Sequence, residues 1–338
     1  MSSLKEIARE LSVSVATVSN ALNGKGKLSD ALRRQIIRHA RKQGYEPSPH
    51  ARVLHGKRLR VLGLILPSVH DGLAQGFIDG TDQAGAGAGY STLVAATHRW
   101  GEDMTQRELA AVERFHSLRI GGVLYLAAAH ADARAVEKRM EKLGLPFVRL
   151  YRGPSAGEAP SVLVDHAAGI RQGISHLQEL GHRRIALIHA GMYQGPELEA
   201  ARAVYAGFFP RREWERWSFT SEQGWRALLT ARVRSGITAA LALSDDLAFS
   251  ASRALTEAGV PVPEAFSLVG FRDTLVARTM TPALTTLHVP TDAMAAQAAG
   301  WLIRRLEEGE GDPAPIRTAL EPELVVRAST APPARCDG

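Results

Sequence analysis

The sequence predicts an α/β protein in which a small helical N-terminal head precedes a core made of two parallel-sheet α/β subdomains. Three observations predict this architecture. The first sixty residues are basic and repeat apolar residues at helical spacing, short apolar runs alternate with amphipathic stretches from about residue 60, and that alternation begins again near residue 160. A chain of 338 residues is long enough for such a head and a two-part core.

Charge is distributed unevenly along the chain. Residues 1–60 contain 13 Lys and Arg against 4 Asp and Glu, and because the whole chain carries +6, the other 278 residues carry −3. A basic head on a slightly acidic body favours a polyanionic partner for the head, although charge alone also allows a basic surface kept for solubility.

Composition excludes several classes of protein. No stretch approaches the roughly 18 consecutive apolar residues of a membrane span, and the N-terminus lacks the apolar segment of a secretory signal, so we expect a cytoplasmic protein. The single cysteine, Cys336, excludes a disulfide framework and a cysteine-based metal site within the chain. No arrangement typical of a catalytic centre, a metal site or a cofactor site is present, so we expect none of the three.

The head is predicted to contain three helices, at residues 3–11, 15–22 and about 30–43. Ser14 and Ser29 are predicted to cap the second and third helices, because a serine hydroxyl can accept an amide hydrogen of the first turn. The predicted buried residues are Leu4, Ile7, Ala8, Leu11, Val18, Leu22, Leu32, Ile36, Ile37 and Ala40.

Two short helices joined by a tight turn and closed by a third helix form a helix-turn-helix, whose second helix enters the major groove of DNA. Asparagine can pair with adenine through two hydrogen bonds, and an alanine or threonine methyl can contact the thymine methyl. The residues expected to face DNA are Val15, Ala16, Thr17, Ser19, Asn20 and Asn23. The alternative is a three-helix unit that is packed for structure only.

The core pattern consists of two successive strand–helix series, which predict parallel strands with helical crossovers. The first series has predicted strands at 61–66, 91–95, 122–126 and 147–150, with helices at about 73–88, 103–118 and 132–143. The second has predicted strands at 161–164, 185–189, 215–219, 239–243 and 267–271, with helices at 167–180, 197–209, 222–233 and 245–258. The late segments 284–289, 291–308 and 322–327 are expected to cross between the two subdomains.

Four stretches of the head are distinctive: LKEIA (4–8), VSVATVSNALNG (13–24), RKQGYEP (41–47) and ARVL (51–54). Through these stretches the head resembles the headpiece of the LacI/GalR family of bacterial regulators. It implies that residues matching 48–55 form a hinge helix on operator DNA and that Leu54 matches a leucine that wedges a base step open in the minor groove. Ordinary linker packing is the alternative role for Leu54. The resemblance also adds Ser14, Ser29, Tyr45, Ala51 and Arg52 to the expected DNA contacts.

One departure in the head concerns Asn20, because the family usually has arginine at this position. We infer a shifted operator preference rather than a loss of DNA binding, with Asn20 reading a base, adenine by the pairing rule.

The core resembles the same family, whose fold is shared with periplasmic sugar-binding proteins, so the expected core is two-lobed and periplasmic-binding-protein-like. The resemblance is carried by LILP (64–67), GHRRIA (181–186), VGF (269–271) with Asp273, and TPALTT (281–286). It implies a homodimer on double-stranded operator DNA, with a small sugar-like effector in the cleft between the lobes. The absence of leucine heptads in the tail favours a dimer over a tetramer.

The expected effector residues depart from the family pattern. The usual Asn-Pro-Phe falls on residues 71–73, an arginine that often binds effector hydroxyls falls on Val204, and a carboxylate falls on Arg272. The expected effector residues are Asp71, Leu73, Tyr151, Val164, Val204, Phe219, Ser244, Arg272 and Val289. Phe219 falls where some family members carry an aromatic residue that packs on a sugar face. Two interpretations stay open: an anionic or modified ligand near Arg272, since guanidinium binds carboxylate or phosphate, or no small ligand at all.

The sequence therefore predicts a head at 1–47, a hinge and linker at 48–59, a core at 60–330 and a disordered tail at 331–338. Within the core, the N-subdomain is expected at about 60–159 and 290–318, and the C-subdomain at about 160–289 and 319–330. The expected function is a DNA-binding transcriptional regulator, a repressor by the resemblance, that responds to a small molecule. The alternatives are a solute-binding protein of the same core fold, disfavoured by the basic head, and an α/β enzyme, disfavoured by the lack of a catalytic constellation.

Overall fold

The computed structural model describes residues 4–22, 26, 28–43, 58–98, 102–128, 132–152, 159–190, 196–209, 218–220, 229, 236–308 and 314–333. The chain divides into two compact units, residues 1–59 and residues 60–338. Within the described ranges, no helix combines the length and the apolar character needed to cross a lipid bilayer. The predicted helix 222–233, apart from residue 229, and most of the predicted hinge lie outside the described residues.

The N-terminal unit contains α1 (Leu4–Glu10), α2 (Val15–Leu22) and α3 (Asp30–Lys42). These bounds agree with the predicted helices to within one residue at each end. A small hydrophobic core holds the three helices together, because each helix places apolar residues on one side at helical spacing. The buried members of this core are Ile7, Ala8, Val18, Ala21, Ile36 and Ala40.

The first lobe of the core is built on a six-stranded sheet in the order β11-β5-β4-β3-β1-β2. Its strands are β1 (Leu59–Leu66), β2 (Ser91–Ala96), β3 (Ile120–Tyr125), β4 (Phe147–Tyr151), β5 (Ser161–Val164) and β11 (Arg317–Leu320). Its helices are α4 (Ala74–Gly87), α5 (Met104–Ser117), α6 (Ala133–Lys142) and α11 (Thr291–Glu308). Asp103 and Asp132 accept amide hydrogens at the starts of α5 and α6, so these two crossover helices begin at side-chain caps.

The second lobe has a six-stranded sheet in the order β12-β10-β9-β8-β6-β7. Its strands are β6 (Ile185–His189), β7 (Ser218–Thr220), β8 (Ala239–Ala242), β9 (Ser267–Arg272), β10 (Thr285–His288) and β12 (Glu323–Val325). Its helices are α7 (His166–Glu179), α8 (Pro196–Phe208), α9 (Asp245–Glu257) and the short α10 (Leu275–Thr279). The pair β10–β12 is antiparallel, and the pairs from β7 to β10 are parallel.

The lobe boundary near residue 160 differs from the prediction. Strand β5 was expected to open the C-subdomain, but it pairs with β4 in the first sheet, with Leu150 opposite Val162. Strand β11 also pairs with β5, so residues 317–320 belong to the first sheet, although 319–330 was expected in the C-subdomain. The chain thus crosses to the second lobe after β5, because hydrogen bonding to a neighbouring strand, rather than position in the alternation, decides sheet membership.

The C-terminal segment also corrects a prediction, since the disordered tail was expected to begin at residue 331. The side chain of Ser329 is fully buried and donates to the Leu268 carbonyl at 2.6 Å. The backbone of Ala331 accepts from Ser267 and lies 2.9 Å from His182 Nε2. The buried side chains of Ser267 and His182 therefore find hydrogen-bond partners in this segment. Because buried polar groups require such partners, residues 329–331 are ordered against the second sheet.

Candidate functional site

The N-terminus of α2 is held by a side-chain cap. Ser14 Oγ accepts a hydrogen bond from the backbone N–H of Thr17 at 3.0 Å, and the two hydroxyl oxygens lie 2.8 Å apart. Because a capping oxygen satisfies an amide that the helix cannot pair internally, this contact fixes the first turn of α2. Ser29 caps α3 in the same way, with the backbone N–H of Leu32 at 3.3 Å.

Helix α2 has a buried side and a side that faces solvent. Val18 and Ala21 are buried, whereas Val15 is 41% exposed and Ala16 and Asn20 are exposed. Thr17 and Ser19 are half-buried on the flanks. The exposed side is small and amide-bearing, which is the surface that a recognition helix needs in order to lie deep in a major groove.

Five of the predicted DNA contacts lie outside the described residues, and their roles stay predictions. They are Asn23, Tyr45, Ala51, Arg52 and Leu54. The structure thus describes α2 and the caps of α2 and α3, and the predicted hinge is left to experiment.

The core contains a cavity of about 590 Å³ at the carboxyl ends of the strands of both sheets. This is the edge at which open α/β sheets bind ligands, and the volume suits a small molecule of one or two sugar rings. The lining residues are Ser68, His70, Asp71, His98, His189, Ala190, Glu197, Leu198, Leu243, Ser244, Asp246, Leu247 and Arg272. The first four belong to the first lobe and the others to the second lobe, so the cavity is a cleft between the lobes.

An ion pair joins the two lobes across this cleft. Asp71, five residues after β1, places Oδ1 3.3 Å from Nη1 of Arg272, the last residue of β9. The side chain of Arg272 is 9% exposed and that of Asp71 is 32% exposed. Arg272 also adopts a backbone φ of 112°, a conformation that L-residues rarely adopt and that occurs preferentially at ligand sites and switches.

A second ion pair crosses between the lobes near the first. Arg152, directly after β4, places Nε 2.5 Å from Oε1 of Glu197, in the first turn of α8. Burial opposes the ionisation of Glu197, but the positive charges of Arg152 and Arg272 lower the pKa of this carboxyl below its usual value. Glu197 is therefore a buried carboxylate in the wall of the cleft.

His166, the first residue of α7, lies beside this second pair. Its ring stacks on Phe271 with centroids 5.6 Å apart and meets the edge of Tyr151 at 5.3 Å. Burial lowers the pKa of His166 to about 4, against the opposing charge of Glu197. The imidazole is thus neutral at physiological pH, and we interpret it as a packed side chain between the lobes.

The cleft brings together three of the nine residues expected to bind an effector: Asp71, Ser244 and Arg272. Ser244 also caps α9, its Oγ accepting from the backbone N–H of Leu247 at 3.3 Å. Leu73, Tyr151, Val164, Val204 and Val289 are buried in the hydrophobic core and are not among the residues that line the cavity. Phe219 lies in β7 opposite Ile188, and its side chain is outside the description.

Sequence reasoning missed most of the polar lining. His70, His98, His189, Glu197 and Asp246 were not among the expected effector residues, yet each lies within about ten residues of the carboxyl end of a strand. That position was the available signal, because parallel strands place the residues that follow them at one edge of a sheet. The expected effector residues were taken from matching positions in the family, and these positions do not include the five residues.

Two family models match the chain. The model described as "Bacterial regulatory proteins, lacI family" matches residues 3–48, and that described as "Periplasmic binding protein-like domain" matches residues 174–330. The first covers the three-helix unit, and the second covers most of the second lobe together with α11 and β11.

Individual proteins match over almost the whole chain. An uncharacterized HTH-type transcriptional regulator in the aml 5′ region of Streptomyces limosus is 31% identical over 97% of this chain and 94% of its own length. The structure of a complex of the transcriptional regulator CelR with cellobiose is 26% identical, with a TM-score of 0.68 over 97% of this chain and 100% of that one. The Lac repressor dimer bound to operator and the anti-inducer ONPF is 24% identical, with a TM-score of 0.79 over 98% and 99% of the two chains.

Proposed function

Because this chain belongs to the LacI family of bacterial regulatory proteins, we propose that it represses transcription from a two-fold related operator and that a small molecule in the cleft sets its affinity for that operator. It is an HTH-type transcriptional regulator, as its relatives are. The proposal concerns three further points: the residues that read the operator, the oligomer that binds it, and the class of small molecule that changes its affinity.

The observation that carries the proposal is the exposed side of α2. Val15, Ala16 and Asn20 project from a helix whose start is fixed by Ser14, so their positions relative to the helix axis are set before DNA arrives. Small side chains permit close approach to the base edges, and the Asn20 amide can both donate to and accept from adenine. The role of Asn20 as a base reader is part of this proposal.

A homodimer with a paired hinge is the proposed assembly on DNA. Support comes from the resemblance of residues 48–55 to the family hinge and from the solved Lac repressor, which is described as a dimer on operator. Two heads related by a two-fold axis read half-sites of a near-palindrome, and a leucine from each hinge, Leu54 in this chain, widens the minor groove between them.

A sugar-like small molecule is the proposed effector, and the cleft is its proposed site. The solved relative CelR is described as a complex with cellobiose, and a cavity of about 590 Å³ has room for a disaccharide. The side chains proposed to contact the ligand are those that line the cavity, including Asp71, Ser244 and Arg272.

We propose further that the protein acts in the cytoplasm and catalyses no reaction. Support comes from the relatives, which are named as transcriptional regulators, because such a regulator acts on chromosomal DNA. Mixing the protein with any ligand found below and analysing the ligand by mass spectrometry tests the second point, since a regulator returns its ligand unchanged.

The experiment that tests the function is selection of bound sites from random DNA by the full-length protein. We expect a near-palindromic site, bound roughly 10³-fold more tightly than random DNA, with affinity that falls steeply as salt rises. Repeating the binding with neutral sugars then identifies the effector by the change in affinity. Enrichment of no site at any salt concentration would remove the proposed function.

A further inference from the structure

The structure points to a residue that determines which ligands the cleft accepts. We propose that Asp71 occupies the guanidinium of Arg272 and so makes the cleft select neutral, hydroxyl-rich ligands and exclude anionic ones. The inference rests on the proposed function insofar as the cleft is the effector site. It also reverses the expectation from sequence, in which Arg272 suggested an anionic ligand.

Arg272 is the sole arginine or lysine among the described residues that line the cavity. The same lining contains three carboxylates, Asp71, Glu197 and Asp246. An anion that entered the cleft would therefore meet three carboxylates, and among the described lining residues the permanently positive side chain is Arg272. What Arg272 contacts thus decides the charge of the ligand.

Asp71 is held in place to contact Arg272. Its Oδ1 accepts a hydrogen bond from the backbone N–H of Leu73 at 3.1 Å. The same oxygen lies 3.3 Å from Arg272 Nη1. The guanidinium is nearly buried and stems from a backbone with positive φ, so the position of Arg272 is restricted too. A contact between two positioned groups, one of them buried, is unlike a flexible surface ion pair, which contributes little.

An anionic ligand would have to displace Asp71 from Arg272. The displaced carboxylate would then stay in the cleft beside the ligand's own negative charge, and like charges at such short range repel strongly in a partly desolvated site. A neutral polyol avoids this cost, because it brings no negative charge and its hydroxyls can donate to carboxylate oxygens while the Asp71–Arg272 pair stays intact.

Glu197 supplies an acceptor for such a hydroxyl. Its Oε1 is paired with Arg152, whereas its buried Oε2 has no hydrogen-bond donor among the described residues. A buried carboxylate oxygen without a donor is costly, and a ligand hydroxyl that reached Oε2 from the cleft would remove that cost. The acidic wall therefore matches a ligand rich in O–H donors.

The test compares the wild-type protein with Asp71→Asn and with the matched control Asp246→Asn, all as full chains. Asp246→Asn removes the same charge from the same cavity but leaves the Asp71–Arg272 contact in place. The probes are cellobiose, which is neutral, and cellobionate, gluconate and glucuronate, which are anions. Thermal shift at constant ionic strength measures binding, and circular dichroism checks that each variant folds.

We expect the wild-type protein to gain no more thermal stability from the sugar acids than from an equal concentration of chloride. Asp71→Asn should bind at least one sugar acid roughly tenfold or more tightly than the wild type does, as a charged hydrogen bond to Arg272 becomes available. Asp246→Asn should increase the affinity for sugar acids much less. The double variant Asp71→Asn/Arg272→Gln should bind sugar acids no more tightly than the wild type does, because the guanidinium is then absent.

Three outcomes overturn the proposal: no gain of sugar-acid binding in Asp71→Asn, an equal gain in Asp246→Asn, or wild-type protein that already binds a sugar acid as tightly as Asp71→Asn does. An equal gain of sugar-acid affinity in both variants would show that the net negative charge of the cleft, rather than the Asp71–Arg272 contact, excludes anions. None of these outcomes touches operator selection, which is measured without ligand, so failure of this inference and failure of the proposed function are separately visible.

Discussion

Asn20 is the residue on which operator choice is proposed to depend, and replacing it with alanine tests that choice. The side chain is exposed on α2, so its loss leaves the buried face of the helix unchanged. We expect Asn20→Ala to weaken binding to the selected operator by roughly tenfold or more. On an operator variant in which the contacted base pair is replaced, the same substitution should weaken binding much less. Gel shift over a panel of operators with single-base changes measures this.

The matched control is Gln35→Ala, which removes a similar exposed amide from α3. It should leave the ranking of operators unchanged. If Asn20→Ala weakened every operator by the same factor, Asn20 would not be reading a base.

Gly270 is a residue whose lack of a side chain is required by close packing in β9. A Cβ at this position would overlap Asp245 Oδ1 and would lie 2.5 Å from Leu284 Cδ2. Asp245 cannot move away easily, because its buried carboxylate accepts from Thr274 and Thr286. We expect Gly270→Ala to destabilise the core by about 3 kcal/mol, measured by urea unfolding.

Gly300→Ala is the control for that substitution. Gly300 lies in the middle of α11, where a Cβ would make only an ordinary 3.8 Å contact with Arg304. Alanine should stabilise the helix there by roughly 0.5–1 kcal/mol. Equal losses in the two variants would mean that the crowding around Gly270 is not the cause.

At the scale of elements, α5 is tied to the end of β3 by a buried acid. Glu108 on α5 accepts from the hydroxyl of Tyr125 at 2.5 Å and from the backbone N–H of Ala128 at 2.8 Å. Burial raises the pKa of Glu108 from its usual 4.5 to about 7, against the effect of these two hydrogen bonds. The helix is therefore fastened to the strand by a carboxyl group that titrates near neutral pH.

This acid predicts a pH dependence of stability. Between about pH 4.5 and 7 the native protein retains the proton of Glu108 while the unfolded chain releases it, so rising pH favours unfolding across that window. We expect Glu108→Gln, which is neutral at every pH, to show a smaller fall in unfolding free energy from about pH 5 to about pH 7.5 than the wild type. Urea unfolding at several pH values measures the difference.

Glu179→Gln serves as the reference for this comparison, because Glu179 is exposed at the end of α7. Its pH profile should run parallel to that of the wild type. If the unfolding free energy of Glu108→Gln fell with pH as steeply as that of the wild type, Glu108 would not be the source of the pH dependence.

At the scale of the whole molecule, the division into two units predicts that the core folds alone. Among the described residues, the hydrophobic cluster of the head is formed by head residues and the two clusters of the core are formed by core residues. A fragment of residues 58–338, which retains all of β1, should therefore unfold cooperatively and show the same ligand-induced thermal shift as the full chain.

The same fragment should not bind the selected operator, since α2 is missing. Full operator affinity in the fragment would move DNA recognition away from the head. Loss of the ligand response in a folded fragment would move the ligand site away from the cleft.

Much of the fold was predictable because the signals are local. Helical spacing and the caps Ser14 and Ser29 predicted α1, α2 and α3, since each cap acts within three residues of its helix. The strand–helix alternation predicted most core elements for the same reason. Sheet membership was less accessible: β5 continues the alternation in sequence, but its hydrogen bonds to β4 and β11 place it in the first sheet.

The sequence by itself therefore determined the helix-turn-helix, the exposure of Val15, Ala16 and Asn20 on its second helix, and the two series of strands and helices, because these follow from periodicity and short-range hydrogen bonds. Only the tertiary structure decided which side chains share the cleft and how residues 329–331 are held. Asp71 and Arg272 lie 201 positions apart. No local pattern relates such residues, and the packing of two sheets brings them to within 3.3 Å, turning an arginine that suggested an anionic ligand into one already paired with a carboxylate.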